Sequence, residues 1–429
     1  MAVQTGAGRL RGPATCAWAK FVFAICLMAV SAGSALGQSE TSSALKTDWT
    51  TEFADAFKNG EFDLGFRYRY EFVDSGIFDR NANASTLRTR LVYKSGDFKN
   101  VFLTLNMDDV RPIVANNFND TRNGKTQYPI VADPKGTDLN LASLTWNGLE
   151  NGSVVLGRQR IIRANHRFVA NVVWRQNEQT YDSLSFYYKA SDKFNFFLSY
   201  VDRVKRIFGP EEGAPTASFR SNSFLFDAGY EFSPLIKLFG YMYLLEFDNS
   251  AIFSSQTVGL RGTGSYEFRD GPTLDYQVEF AGQSDYKNNP DSYDANYYLL
   301  DAALKWERFG FRLGYEVLEG DGTNGSFQTP LATLHKFNGW ADRFLVTPAA
   351  GLEDLYIEGN AQFLQGKWAL VYHWFSANTG GGDWGDELDF VATWKFKKNY
   401  SVLVKAALYK ADLWAWDTDK FWVMLNADF

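Results

Sequence analysis

The chain reads as an all-β protein: a transmembrane antiparallel β-barrel of about 18 strands, with 16 as the alternative count, short periplasmic turns and long extracellular loops. Three observations predict this. Apolar and polar residues alternate in runs of roughly ten from residue 61 to the end. A basic and then apolar leader opens the chain. The final run sets Phe421, Val423, Leu425, Ala427 and Phe429 against Trp422, Met424, Asn426 and Asp428. A strand of that form buries one side in something apolar and turns the other to polar surroundings.

Residues 1–37 are expected to be a removed signal peptide, with Arg9, Arg11 and Lys20 ahead of the apolar run 21–30 and the small residues 31–37. That run is too short to span a bilayer as a helix. Cys16 and Cys26 both lie there, so no disulfide and no thiolate metal site is expected in the mature chain. Without the leader's cations, 40 basic residues face 50 acidic ones, a net charge of −10, and nucleic acid is excluded as a partner by bulk charge. Residues 38–60 are expected as a periplasmic N-terminal segment and 61–429 as the barrel. The slightly negative mean hydropathy, with 17% aromatics, fits strands whose alternate residues meet lipid and whose ends carry aromatic girdles.

Strand 61–72 is the clearest. Phe62, Leu64, Phe66, Tyr68, Tyr70 and Phe72 share one face, and Asp63, Arg67, Arg69 and Glu71 share the other. A slip of one residue would put both arginines into lipid, at about 2–4 kcal/mol each near the midplane. Similar patterns run through 273–283, 295–306, 309–317, 387–396 and 400–409. Alternation falters at 138–147 and 153–160, which is why 16 strands stay open. Short connections such as 95–97, 190–193 and 397–399 alternate with long ones at 109–137, 161–179, 205–219, 287–294 and 318–351.

Turning the polar faces inward gives a lumen list. Its basic members are Arg67, Arg69, Arg88, Arg90, Arg158, Arg160, Arg203, Arg261, Lys305 and Arg312, and its acidic members are Asp63, Glu71, Asp275, Glu279, Asp301, Glu316 and Asp389. Cations concentrate in the early strands and acids in the later ones, so the closed barrel is expected to carry opposite-signed walls. Guanidinium groups bind carboxylates as a rigid fork, which suits an arginine arc to anionic solutes. Loop 318–351 carries Leu331, Leu334, Phe337 and Trp340 at near-helical spacing, which a loop facing water does not need. It is expected to constrict the mouth together with loop 161–179, through Arg167, Phe168, Trp174, Arg175, His335, Phe337 and Trp340.

A hydrolase on the barrel rim is the competing reading, with His335, Asp342 and Thr333 as the conceivable set. Spacing alone does not bring them together, and no histidine pair has metal-ligand spacing. No catalytic residue, metal or cofactor is therefore expected.

A chain stopping on the strand 421–429 resembles the assembly signal of bacterial outer-membrane barrels, with Phe421 and Phe429 as its aromatics. That implies the outer membrane of a Gram-negative cell, its lipid and the barrel-assembly machinery as partners. The motifs Tyr68-Arg-Tyr-Glu71, Ala84-Ser-Thr-Leu-Arg-Thr-Arg-Leu91, Val131-Ala-Asp-Pro134, Leu156-Gly-Arg-Gln-Arg160, Arg167-Phe-Val169, Trp174-Arg-Gln-Asn-Glu-Gln-Thr180 and Thr329-Pro-Leu-Ala-Thr-Leu-His-Lys-Phe-Asn-Gly-Trp-Ala-Asp342 resemble the alginate-export family of such barrels. The resemblance implies eighteen strands and an anionic polyuronate carried along arginines, here Arg67, Arg69, Arg88, Arg90, Arg158, Arg160 and Arg175. The turns here are short and the lumen charges mixed, so the expectation is a passive channel for anionic or polar carbohydrate. A general diffusion porin is the alternative.

Overall fold

The computed structural model describes residues 43–429, so the expected signal peptide lies outside the described residues. A helix, α1 (Ser43–Lys58), occupies part of the segment for which the sequence suggested no element. Eighteen strands follow. The first six are β1 (Glu61–Ser75), β2 (Ala82–Lys94), β3 (Val101–Asn117), β4 (Gly136–Leu149), β5 (Gly152–Gln159) and β6 (Thr180–Lys189). Next come β7 (Phe194–Lys205), β8 (Ser218–Ser233), β9 (Ile236–Leu245), β10 (Ser255–Glu267), β11 (Thr273–Asp285) and β12 (Asp294–Lys305). The last are β13 (Phe309–Leu318), β14 (Leu352–Phe363), β15 (Gly366–Ser376), β16 (Asp383–Phe396), β17 (Tyr400–Ala411) and β18 (Thr418–Asp428).

Every strand pairs with its sequence neighbours, and β18 returns to pair with β1 from Gly65↔Asp428 to Ser75↔Thr418. Closure leaves no edge, so each backbone amide in the wall finds a partner within the sheet, as a hydrocarbon surrounding demands. The register follows the side-chain pattern. Arg69 and Glu71 are fully buried inside while Phe62 is 66% exposed on the outside. Leu300 and Phe280 are likewise exposed outward, beside the buried Glu279 and Asp301. At the turn end of the barrel, aromatics pair on the outer surface, as in Phe62 with Tyr93, Tyr266 with Phe268, Trp368 with Trp394 and Tyr400 with Phe429. These form the interfacial girdle expected of a membrane barrel.

The faltering segments are strands after all. A bulge opposite Asn106 and Met107 lets Asn140 and Leu141 both turn inward, which is what breaks the alternation in β4. The long connection expected at 109–137 is shorter, because β3 continues to Asn117. The stripe from Leu331 to Trp340 is not a helix: only the single 3-10 turn Leu334–Lys336 forms, and Leu331 instead bridges to Val169 of the neighbouring loop.

An arginine at position 300 would project into hydrocarbon. We expect Leu300→Arg to lower the stability of the lipid-embedded barrel by about 2–4 kcal/mol, measured by urea unfolding in liposomes. A neutral result would show that this face does not meet lipid.

Candidate functional site

Two loops, residues 160–179 after β5 and 319–351 after β13, lie inside the barrel. The first carries cations and the wall offers acids. Arg163 Nε donates to Asp227 on β8 at 2.6 Å. Arg167 Nε stands 3.0 Å from Glu316 on β13, an ion contact without an aligned hydrogen bond. Arg175 Nη1 donates to Glu71 on β1 at 3.0 Å, and Arg69 donates to the same oxygen at 2.8 Å. In return, Glu178 of the loop accepts from Arg160 at 2.6 and 3.0 Å and also pairs with Arg90. Buried charges of this kind persist only when paired in good geometry.

The loops hold each other. Ala170 N–H donates to the Leu331 carbonyl at 2.9 Å, and Gln179 Nε2 donates to the carbonyls of Ala170 and Leu331 at 2.9 and 3.0 Å. The tip of the second loop then docks on the far wall. Trp340 N–H donates to Asp389 at 3.1 Å and Ala341 N–H to Glu387 at 2.6 Å, both on β16. Immediately before them the chain needs glycine. Gly339 has φ +80°, and a Cβ there would stand 2.4 Å from Glu387 Oε2.

At the seam of β17, β18 and β1, His335 Nδ1 is 2.7 Å from Asp342 and its Nε2 is 2.8 Å from Lys405 Nζ. Asp342 also accepts from Lys420 Nζ at 2.6 Å. Trp174 stacks on His335 at 4.3 Å, and the Lys405 ammonium lies 3.6 Å from the Trp340 ring and 4.4 Å from Trp174. Burial depresses the His335 imidazole to about 3 despite the pull of Asp342. Burial works to raise the Asp342 carboxyl, but contact with His335, Lys420 and Arg175 holds it well below the usual carboxylate range. Both His335 nitrogens are taken, and Thr333 Oγ1 accepts from Val172 N–H. With both nitrogens held between the loop's Asp342 and the wall's Lys405, the arrangement ties loop to wall as a latch.

Beside the latch lies a cavity of about 1080 Å³, lined among others by Arg67, Arg261, Arg312, Lys336, Asp301 and Glu316. The loops therefore fill part of the lumen and leave this space against β9 to β18 and β1. Of the inward charges expected from the sequence, Arg90 is neutralised by Asp108 at 2.8 and 2.6 Å and by Glu178. Lys305 pairs with Asp275, Arg261 lies 3.7 Å from Glu279, and Arg312 lies 3.8 Å from both Asp301 and Glu358. Asp63 is exposed at the turn end. Phe168 packs among Tyr241, Tyr297 and Phe327, and Phe337 lies under Arg167 at 4.8 Å. Phe421 and Phe429 sit on the outer surface of the closing strand.

Two assignments are corrected. Arg158 faces outward: it pairs across the sheet with Asp182, on the face of exposed Leu184 and opposite buried Gln159 and Ser183. Arg203 also faces outward, because Asp202 is an extra residue in the ladder and moves the inward position from Val201 to Val204. Sequence reasoning missed Lys420, Glu387, Asp354, Asn338, Glu178 and Asp133. For Glu387 and Lys420 a signal was present, since each sits two residues from a singled-out inward position (Asp389 and Trp422).

The fold is a closed 18-stranded antiparallel β-barrel with the architecture of solved outer-membrane barrels. No protein-family model matches the chain, and no curated protein matches it, so membership of the alginate-export family is not shown. Solved structures do match. The outer membrane protein opdK from Pseudomonas aeruginosa superposes with a TM-score of 0.69 over 87% of this chain and 99% of its own, at 14% identity. OccAB4 from Acinetobacter baumannii gives 0.65 over 86% and 98%, also at 14% identity. OpdK of Pseudomonas aeruginosa in a structure with vanillate gives 0.66 over 87% and 99%, at 12% identity.

The latch makes a pH prediction. His335 goes from an ordinary 6.5 to about 3 when buried, so between those values the unfolded loop binds a proton that the seated loop does not. Asp342 adds to this only below its ordinary 3.8. Seating should be strongest above pH 6.5 and weaken as pH falls toward 4, seen as faster hydrogen exchange at residues 334–342. His335→Gln should flatten that dependence.

Proposed function

We propose that this chain is a passive outer-membrane channel that favours small anionic solutes, acidic sugars among them. The observation that carries the reading is a pair of arginines that, among the described residues, make no close ion pair with a carboxylate. Arg67 on β1 and Arg88 on β2 stand directly opposite each other across the ladder. Arg67 lines the cavity, and its bonds go to Asn426 Oδ1 at 3.1 Å and the Val173 carbonyl at 2.9 Å. Arg88 is 6% exposed, and its Nε and Nη1 are buried without a hydrogen-bond partner. Like charges facing each other across strands cost stability, and a visiting anion relieves that cost. Fixed positive charge beside a narrow water-filled space also concentrates anions.

Two further points support the reading. Diffusion down a gradient asks no chemistry of the protein, and the His335 latch offers none. The similar OpdK structure was obtained with vanillate, itself a carboxylate. The alginate-like reading differs only in the length of the solute, and a cavity of about 1080 Å³ suits a small molecule better than a gripped polymer segment. Arg90, with its two carboxylates already in place, is the wrong arginine to test.

In planar bilayers under a potassium chloride gradient, Arg67→Gln with Arg88→Gln should move the reversal potential toward cation preference, while single-channel conductance persists. An unmoved reversal potential would remove the assignment.

A further inference from the structure

The wall carries a second pair of like charges, of the opposite sign. Glu316 on β13 and Asp354 on β14 face each other directly across the ladder, and both line the cavity. Two carboxylates so placed should make a cation station as strong as the arginine pair is for anions. Their surroundings differ. Asn338, at the tip of the second loop, bridges them through one amide nitrogen, at 2.6 Å to Glu316 Oε2 and 3.1 Å to Asp354 Oδ2. Tyr297 donates to Glu316 Oε1 at 2.6 Å, and His373 Nδ1 lies 2.8 Å from Asp354 Oδ1. Among the described residues, the arginine or lysine that pairs with this couple is Arg167 of the first loop, 1% exposed and 3.0 Å from Glu316.

Arg167 is itself built in. Its Nη2 donates to Asn338 Oδ1 at 3.0 Å, so one loop's arginine and the other loop's amide form a single cover over the acid pair. Its guanidinium lies 4.8 Å from the Phe337 ring and 5.7 Å from Tyr297, which fixes its plane.

We infer that Arg167 is a selectivity determinant of the pore, acting by masking the Glu316–Asp354 pair so that the Arg67–Arg88 pair, which makes no ion pair with a carboxylate among the described residues, sets the preference. This rests on the channel reading above. Selectivity then follows from which like-charged pair the loops leave without an opposite charge, and the sum of wall charges does not predict it.

The test is a cycle of variants in planar bilayers under a potassium chloride gradient. Arg167→Gln should lower the chloride-over-potassium permeability ratio severalfold. Arg167→Lys keeps the cation and should stay near the parent. The double variant Arg167→Gln with Glu316→Gln removes the unmasked acid along with its mask and should return the ratio to near the parent value. A double variant as cation-preferring as Arg167→Gln would overturn the inference, because the loss would then be Arg167's own charge. An unchanged ratio in Arg167→Gln would overturn it too. Should Arg167→Gln unseat the loop, seen as a raised single-channel conductance, the double variant decides in the same way. A folded parent barrel that passes no current would overturn the channel reading and this inference with it.

Discussion

A strand that shows one face to hydrocarbon must turn its charges inward, and an inward charge must find a partner. That requirement organises this molecule. The eighteen strands deliver more arginines, lysines and carboxylates to the lumen than facing strands alone can pair. The two inward loops supply the missing partners: Arg163, Arg167 and Arg175 for wall acids, Glu178 and Asp342 for the wall cations Arg90 and Lys420. Loop position and wall charge are thus two sides of one arrangement. The loops stay inside because the wall is charged, and the wall can be charged because the loops are inside.

The seam shows how far this goes. Strands β17, β18 and β1, which close the barrel, contribute Lys405, Lys420 and Glu71 to one cluster with His335, Asp342 and Arg175. Loop residues therefore tie together the strands whose pairing completes the cylinder. His335 is neutral and Asp342 ionised at neutral pH, and the rings of Trp174 and Trp340 flank the Lys405 ammonium. The space that remains open is asymmetric: Arg67 lines it on one side with no carboxylate in ion-pair contact among the described residues, and on the other the acid pair is bridged by loop side chains.

Much of the fold was legible in the sequence because period-two alternation is a direct consequence of lying between two media. Strand 61–72 could be assigned an inside and an outside from its arginines alone. Parity failed where the ladder did: the extra residue Asp202 turned Arg203 outward, and β5 ends at Gln159, so Arg158 and Arg160 do not share a face despite their spacing. The apolar stripe in loop 319–351 suggested an inward loop, and that loop packs inward with only a single 3-10 turn, Leu334–Lys336, along the stripe. Pairings such as Arg167 with Glu316 could not be read, since residues 149 positions apart meet only through the geometry of the closed barrel.

The central claim is that the second loop occupies the lumen, held there by wall charges. Its base is narrow, with Gly322 N–H donating to the Ala349 carbonyl at 2.9 Å, so residues 323–348 can be excised and the ends joined without parting β13 from β14. Single-channel conductance of that shortened barrel in planar bilayers is the most direct measurement. A severalfold larger conductance is the predicted result, and a conductance equal to that of the intact chain would contradict the account.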